Sequence, residues 1–101
     1  MSKEIILYNL APGVTDEEYA KYVAEEKGPF LEGLSGVEKF HLIKITSSQK
    51  GEIPYRYVGI VELTSMEEWE KSTKTKEFGR FIEKWVKKVS DFHILFGEEI
   101  Y

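Results

Sequence analysis

Thr15-Asp16-Glu17-Glu18 and Ser65-Met66-Glu67-Glu68 decide the fold of this chain. In each, a hydroxyl is followed three residues later by a carboxylate, the capping box in which each side chain satisfies the other's free backbone N–H at a helix start. Each box also follows one apolar stretch and leads to another. Glu4–Leu10 precedes the first helix, Val37–Ser47 and Tyr55–Thr64 lie between the two, and Phe92–Ile100 follows the second. All four stretches are rich in β-branched and aromatic residues, the composition of strands. The order strand, helix, strand, strand, helix, strand predicts an α+β fold of the split βαβ, or ferredoxin-like, plan with a four-stranded antiparallel sheet.

Outward from the two boxes the local signals agree. Ala11-Pro12-Gly13 is a turn that delivers Thr15 to the N-cap position. Tyr19, Tyr22 and Val23 recur at helical spacing and mark an inward face, which Gly28-Pro29 is expected to end or break. Phe30, Leu31 and Leu34 then continue the apolar stripe, and Ser48 to Pro54 form a hairpin connection. In the second helical region, Lys71 to Lys76 carries no apolar residue, so a kink or two helices is expected there. Asp91 is expected to open the last strand.

The chain has 101 residues, suited to a single domain over residues 1–101, and a net charge of −4. It contains no cysteine, which excludes disulfides, thiol nucleophiles and thiolate metal sites. Met1-Ser2-Lys3-Glu4 enters the first strand without an apolar signal core, and no stretch approaches the ~20 apolar residues of a membrane span. A cytoplasmic protein is the expectation. Between Lys71 and Lys88 the basic residues outnumber Glu77 and Glu83, which suits either an anion-binding patch or the solvated end of an amphipathic helix. The helix explanation is the simpler one.

The strands are apolar on both faces. Ile5, Leu7, Val61 and Leu63 are expected to point toward the helices, and Ile6, Tyr8, Val58 and Ile60 away from them. Two helices cover only one face of a sheet, so the other needs a partner, and a second copy of the same sheet supplies one. The chain is therefore expected to form a homodimer through Ile6, Tyr8, Val58 and Ile60, with Ile100 and Tyr101 packed on the partner. RNA-recognition motifs share this fold but stack bases on aromatics in an octamer whose counterpart here is Arg56-Tyr57-Val58-Gly59-Ile60-Val61-Glu62-Leu63. The two stacking positions are Val58 and Ile60, which offer no π-face, so nucleic acid is not an expected partner.

Four segments carry a family resemblance: Tyr8 to Thr15, Leu34-Ser35-Gly36-Val37, Tyr57 to Leu63 followed by Ser65, and Val89 to His93. On these the chain resembles the dimeric α/β-barrel superfamily and is most similar to the small REDY-like or HapK proteins, found beside genes for tripyrrole pigment synthesis. The resemblance implies a dimer whose two sheets close into a barrel, with a ligand cleft between helices and sheet in each subunit. It also implies relatives that include cofactor-independent monooxygenases, isomerases, polyketide cyclases and haem enzymes. It carries over no catalytic residue.

Candidate chemistry rests on few side chains. His41, in phase with Ile43 and Ile45, is a possible general base near neutral pH, or a strand histidine bonded to a neighbour. Asn9 and Tyr57, placed on the helix side, could hold a carbonyl or enolate oxygen, or simply cap a strand end and fill the core. Trp69, Trp85 and Phe78 lie on the helical apolar stripe, as walls for a flat ligand or as core. His93 alternates with Phe92 and Ile94 in the last strand, as a ligand contact or an edge residue. Glu62 belongs to the dimer face, at its rim. Two histidines give no recognisable metal set, and neither a metal nor a cofactor is expected. No Gly-rich phosphate loop, nucleophile elbow or carboxylate dyad is present. These features point to a cofactor-independent enzyme or carrier for a small, flat, largely apolar molecule, working by proton abstraction, cyclisation or oxygenation. The alternative is a structural or regulatory dimer whose cleft is filled. A cleft of ~300 Å³ or more with a few polar groups separates the two.

Overall fold

The computed structural model describes residues Ser2–Tyr101. The strands are β1 (Ser2–Leu10), β2 (Val37–Lys44), β3 (Tyr57–Leu63) and β4 (Val89–Glu98). The helices are α1 (Asp16–Tyr22), α2 (Gly28–Glu32), α3 (Met66–Thr73) and α4 (Lys76–Val86), and a π-helical turn, Val23–Lys27, joins α1 to α2. The sheet is antiparallel with order β2-β3-β1-β4, the ferredoxin-like arrangement.

Both hydroxyl caps form. Thr15 Oγ1 accepts from the Glu18 N–H at 3.1 Å and Ser65 Oγ from the Glu68 N–H at 3.2 Å. The carboxylate half of the second box is used elsewhere, since Glu68 Oε2 accepts from the Ser35 hydroxyl at 2.7 Å and so ties α3 to the turn before β2. The break between α3 and α4 falls where apolar residues lapse, and Thr75 caps α4 through the Phe78 N–H. Gly28-Pro29 does not end the helix. The Gly28 N–H reaches back to the Val23 carbonyl in a π-turn, and the wider turn makes room for a proline ring that would clash in a regular helix. Asp91 does not open β4 either. It sits two residues inside the strand at φ 50°, where the β1–β4 register shifts. An aspartate tolerates this left-handed conformation better than most residues.

The register corrects the faces assigned to β1. Tyr8 pairs with Tyr57 and Ile6 with Gly59, so Glu4, Ile6 and Tyr8 share the helix face with Tyr57 and Val61. Ile5 and Leu7 pair with Ile60 and Val58 and lie on the open face. Ile6 and Tyr8 are therefore core residues and not an outer contact surface. The physical reason is that β1 is apolar on both sides, so its own alternation has no preferred phase. Val58 and Ile60 do face outward, joined by His41 and Ile43 of β2 and His93 and Leu95 of β4.

The core has two centres. Tyr8, Tyr19, Tyr22, Tyr57, Trp85, Ile6 and Val89 form one, and Leu31, Phe40, Val61, Leu63 and Trp69 the other. On β4 the helix-side residues Phe92, Ile94 and Phe96 remain about half exposed, because the helices do not reach fully over that edge. Among the described residues no helix is long and apolar enough to cross a membrane.

Candidate functional site

A cleft of about 410 Å³ opens under α3 and α4, between the two core centres. Trp69, Phe78, Phe81 and Trp85 wall it from the helix side, and Ile6, Ile94 and Phe96 floor it from the sheet. Trp69 and Phe78 meet edge to face at 5.7 Å, and Trp85 meets Tyr8 in the same way at 5.4 Å, so the walls are braced rings rather than loose side chains. Four groups interrupt the apolar lining: Glu70 and Thr73 on α3, and Glu4 and Lys27 below.

Glu4 and Lys27 are the unusual pair. Glu4 follows the β1 alternation inward with Ile6 and Tyr8, and burial pushes its carboxyl up to about 7, against the attraction of Lys27. Lys27 closes the π-turn and is 1% exposed. Its Nζ lies 5.0 Å from the centre of the Tyr8 ring and 4.7 Å from that of Trp85, and 3.2 Å from the Tyr19 hydroxyl. Burial pulls this amine down to about 7, only partly opposed by Glu4. Two groups that ordinarily hold opposite charges at neutral pH are thus both poised to exchange a proton there.

The other predicted residues are dispersed. Trp69, Trp85 and Phe78 lie in the cleft wall. Tyr57 is on the helix side but outside the cleft. It stacks on Tyr8 and donates its hydroxyl to Asp16 Oδ1 at 2.6 Å, while Lys44 donates to Asp16 Oδ2 at 2.9 Å. That hydrogen bond and the Lys44 charge hold the Asp16 carboxyl below its usual range. Asn9 points to the opposite face from the one expected. Its amide bridges the loop before β3, donating to the Pro54 carbonyl and accepting from the Arg56 N–H. His41 is on the open face, its Nε2 2.6 Å from Glu62 Oε2, and this bond is the main cause holding the Glu62 carboxyl down. His93 is also on the open face, edge-on to Tyr55. None of these four enters the cleft. Among the described residues no three metal-ligating side chains converge.

Sequence periodicity holds a signal for Lys27, which is four residues after Val23 and eight after Tyr19 and so continues the inward stripe of the first helix. Glu4 shares the phase of Ile6 and Tyr8, and only the pairing of β1 with β3 turns that phase inward.

The fold recurs among solved structures. HapK from Hahella chejuensis is 18% identical with a TM-score of 0.81, over 99% of this chain and 93% of that one. SnoaB, a cofactor-independent oxygenase from Streptomyces nogalater, is 10% identical with a TM-score of 0.79, over 99% and 93%. A dimeric protein of unknown function with a ferredoxin-like fold from Bacteroides fragilis is 14% identical with a TM-score of 0.66, over 97% and 95%. No curated protein matches the chain significantly. The family profile of the REDY-like protein HapK matches residues 2–100, nearly the full length. By that match the chain belongs to the HapK family of REDY-like proteins.

Proposed function

We propose that this protein is a homodimer that holds a small, flat, largely apolar molecule in the α3–α4 cleft of each subunit. It acts there as a cofactor-independent enzyme (by proton abstraction, cyclisation or oxygenation) or as a carrier. The observation that carries this is the cleft itself, about 410 Å³ of aromatic-walled space holding Glu4 and Lys27. A filled, purely structural cleft would have Trp69, Trp85 and Phe78 packed through that space. They border it instead, and the volume exceeds the roughly 300 Å³ at which small-molecule sites begin. SnoaB, of the same fold, supports the enzymatic side, and the dimeric Bacteroides fragilis protein supports the assembly. Trp69, Trp85 and Phe78 serve as ligand walls. Proton transfer falls to Glu4 and Lys27, in place of His41, Tyr57 and Asn9, which lie outside the cleft.

Native mass spectrometry of gently purified protein tests the proposal. The expected species is a dimer carrying a discrete small-molecule mass that denaturation releases. A bare dimer whose tryptophan fluorescence is untouched by flat aromatic probes would favour the structural role, and a monomer would overturn the assembly.

A further inference from the structure

The protons around Lys27 can be counted. Its Nζ lies 3.2 Å from the Tyr19 hydroxyl and 3.4 Å from that of Tyr8, and the two hydroxyls are 2.6 Å apart. The Trp85 indole N–H, which can only donate, fills one acceptor site on Tyr19 at 2.9 Å. If Lys27 is an ammonium it donates to both phenols. One phenol then donates to the other, and the remaining hydroxyl proton has no acceptor within the cluster. If Lys27 is a free amine it donates to one phenol and accepts from the other, and the three atoms close a ring in which each donates once and accepts once, with one N–H left outside the ring as in the ammonium. The ring is buried, where an unplaced hydroxyl proton is costly because no water replaces the missing acceptor. Placing both hydroxyl protons within the cluster therefore requires the uncharged amine, and the same residue lines the cleft.

An uncharged lysine in an apolar cavity is the reactive form of that side chain. We propose that Lys27 is a nucleophile that captures an aldehyde or ketone on a flat apolar body as a Schiff base, an inference that rests on the cleft being a ligand site. The phenol that donates to the amine turns away and frees the nitrogen lone pair. The nitrogen then attacks the carbonyl carbon and the carbonyl oxygen becomes a hydroxyl, giving a carbinolamine after one proton moves from nitrogen to oxygen. Glu4, on the same cavity wall, supplies a second proton to that hydroxyl. The C–O bond breaks, water leaves, and an iminium remains opposite the Glu4 carboxylate. No oxidant or reductant is consumed. The iminium withdraws electrons from the neighbouring carbon, which suits the proton abstraction and cyclisation proposed for the site.

The test uses 2-naphthaldehyde with cyanoborohydride at neutral pH, followed by intact-mass measurement and peptide mapping. The expected result is a reduced naphthylmethyl adduct on Lys27, formed at least about tenfold faster than on any exposed lysine, since those amines are charged at this pH. Lys27→Met should lose the adduct. 2-Naphthalenemethanol, which forms no imine, should quench the tryptophan fluorescence of the parent protein. Quenching without a Lys27 adduct, or adducts on surface lysines alone, would overturn the nucleophile and leave the ligand cleft standing. No quenching by either probe would overturn cleft and nucleophile together. Should Lys27→Met fail to fold, peptide mapping of the parent protein still decides.

Discussion

A lysine ammonium loses most of its hydration when it is buried, and Lys27 recovers only part of it from the faces of Tyr8, Tyr19, Phe40 and Trp85 and from two phenol oxygens. The balance shows in its proton affinity, pulled from the ordinary 10.5 to about 7 by desolvation. The unfolded chain keeps this proton up to about 10.5 while the folded chain releases it near 7, so the unfolded state binds more protons in that window. Folding stability therefore rises as pH climbs from about 7 to about 10.5, and the full penalty applies below 7. Glu4 has the opposite slope at lower pH. Its folded carboxyl holds a proton up to about 7 against an ordinary 4.5, so its penalty grows as pH rises through that range. Lys27→Met keeps the volume and removes the charge. It is expected to stabilise the fold by about 2 kcal/mol at neutral pH and below, with the gain shrinking toward zero near pH 10. Urea denaturation across this range is the measurement. A gain that stayed flat with pH would mean that Lys27 titrates like an exposed lysine.

At the scale of elements, the order of strands and helices is legible because its signals are local: hydroxyl caps, β-branched runs, and the lapse of apolar residues at Lys71 to Lys76. What is not legible depends on partners distant in sequence. The phase of β1 is set by pairing Tyr8 with Tyr57, and β1 alone, apolar on both sides, gives no hint of it. Lys27 stands at an inward position, but a charged residue there looks like an exposed one until four rings are seen to surround it. His41 shows the converse, a chemically suggestive residue in a strand whose outward side carries it away from the cleft. One close approach between elements is readable from its glycine. Gly36 leads into β2 at φ 90°, and a Cβ there would lie 2.7 Å from the Trp69 backbone nitrogen and 2.9 Å from Glu68 Cβ. The left-handed backbone and the collision with α3 both oppose any side chain. Gly36→Ala is expected to cost about 3 kcal/mol, combining backbone strain with displacement of a helix. Because Trp69 walls the cleft, the variant should also bind flat aromatic probes more weakly even where it remains folded. Thermal unfolding and fluorescence titration read the two effects, and a loss below about 1 kcal/mol would show that α3 yields easily.

For the whole molecule, the proposed assembly rests on the open face of the sheet. Ile5, Leu7, Val58 and Ile60 sit at its centre, with Ile43 and Leu95 on the flanking strands about half exposed. Polar groups collect toward one end, where Lys3 and His41 both approach Glu62, at 3.6 and 2.6 Å. An apolar centre with a polar margin is the anatomy of a protein interface, and a face this apolar is rarely left to water. Ile100 and Tyr101 are fully exposed at the end of β4 and extend the same apolar character beyond the sheet. A second copy turned over onto this face would bury both sets, and its two-fold symmetry would place each subunit's Ile60 within the shared apolar layer. Ile60→Asp puts a carboxylate into that layer. It leaves the helix-side core untouched, because Ile60 pairs with Ile5 and His41 on the outer side only. The expected loss is about 3 kcal/mol of association energy or more, over a hundredfold in dissociation constant. Light scattering coupled to size-exclusion chromatography would then report a monomer at micromolar concentration, with unchanged far-ultraviolet circular dichroism. A variant that stayed dimeric would move the interface to another surface, and the Phe92, Ile94 and Phe96 edge of β4 would be the next to test.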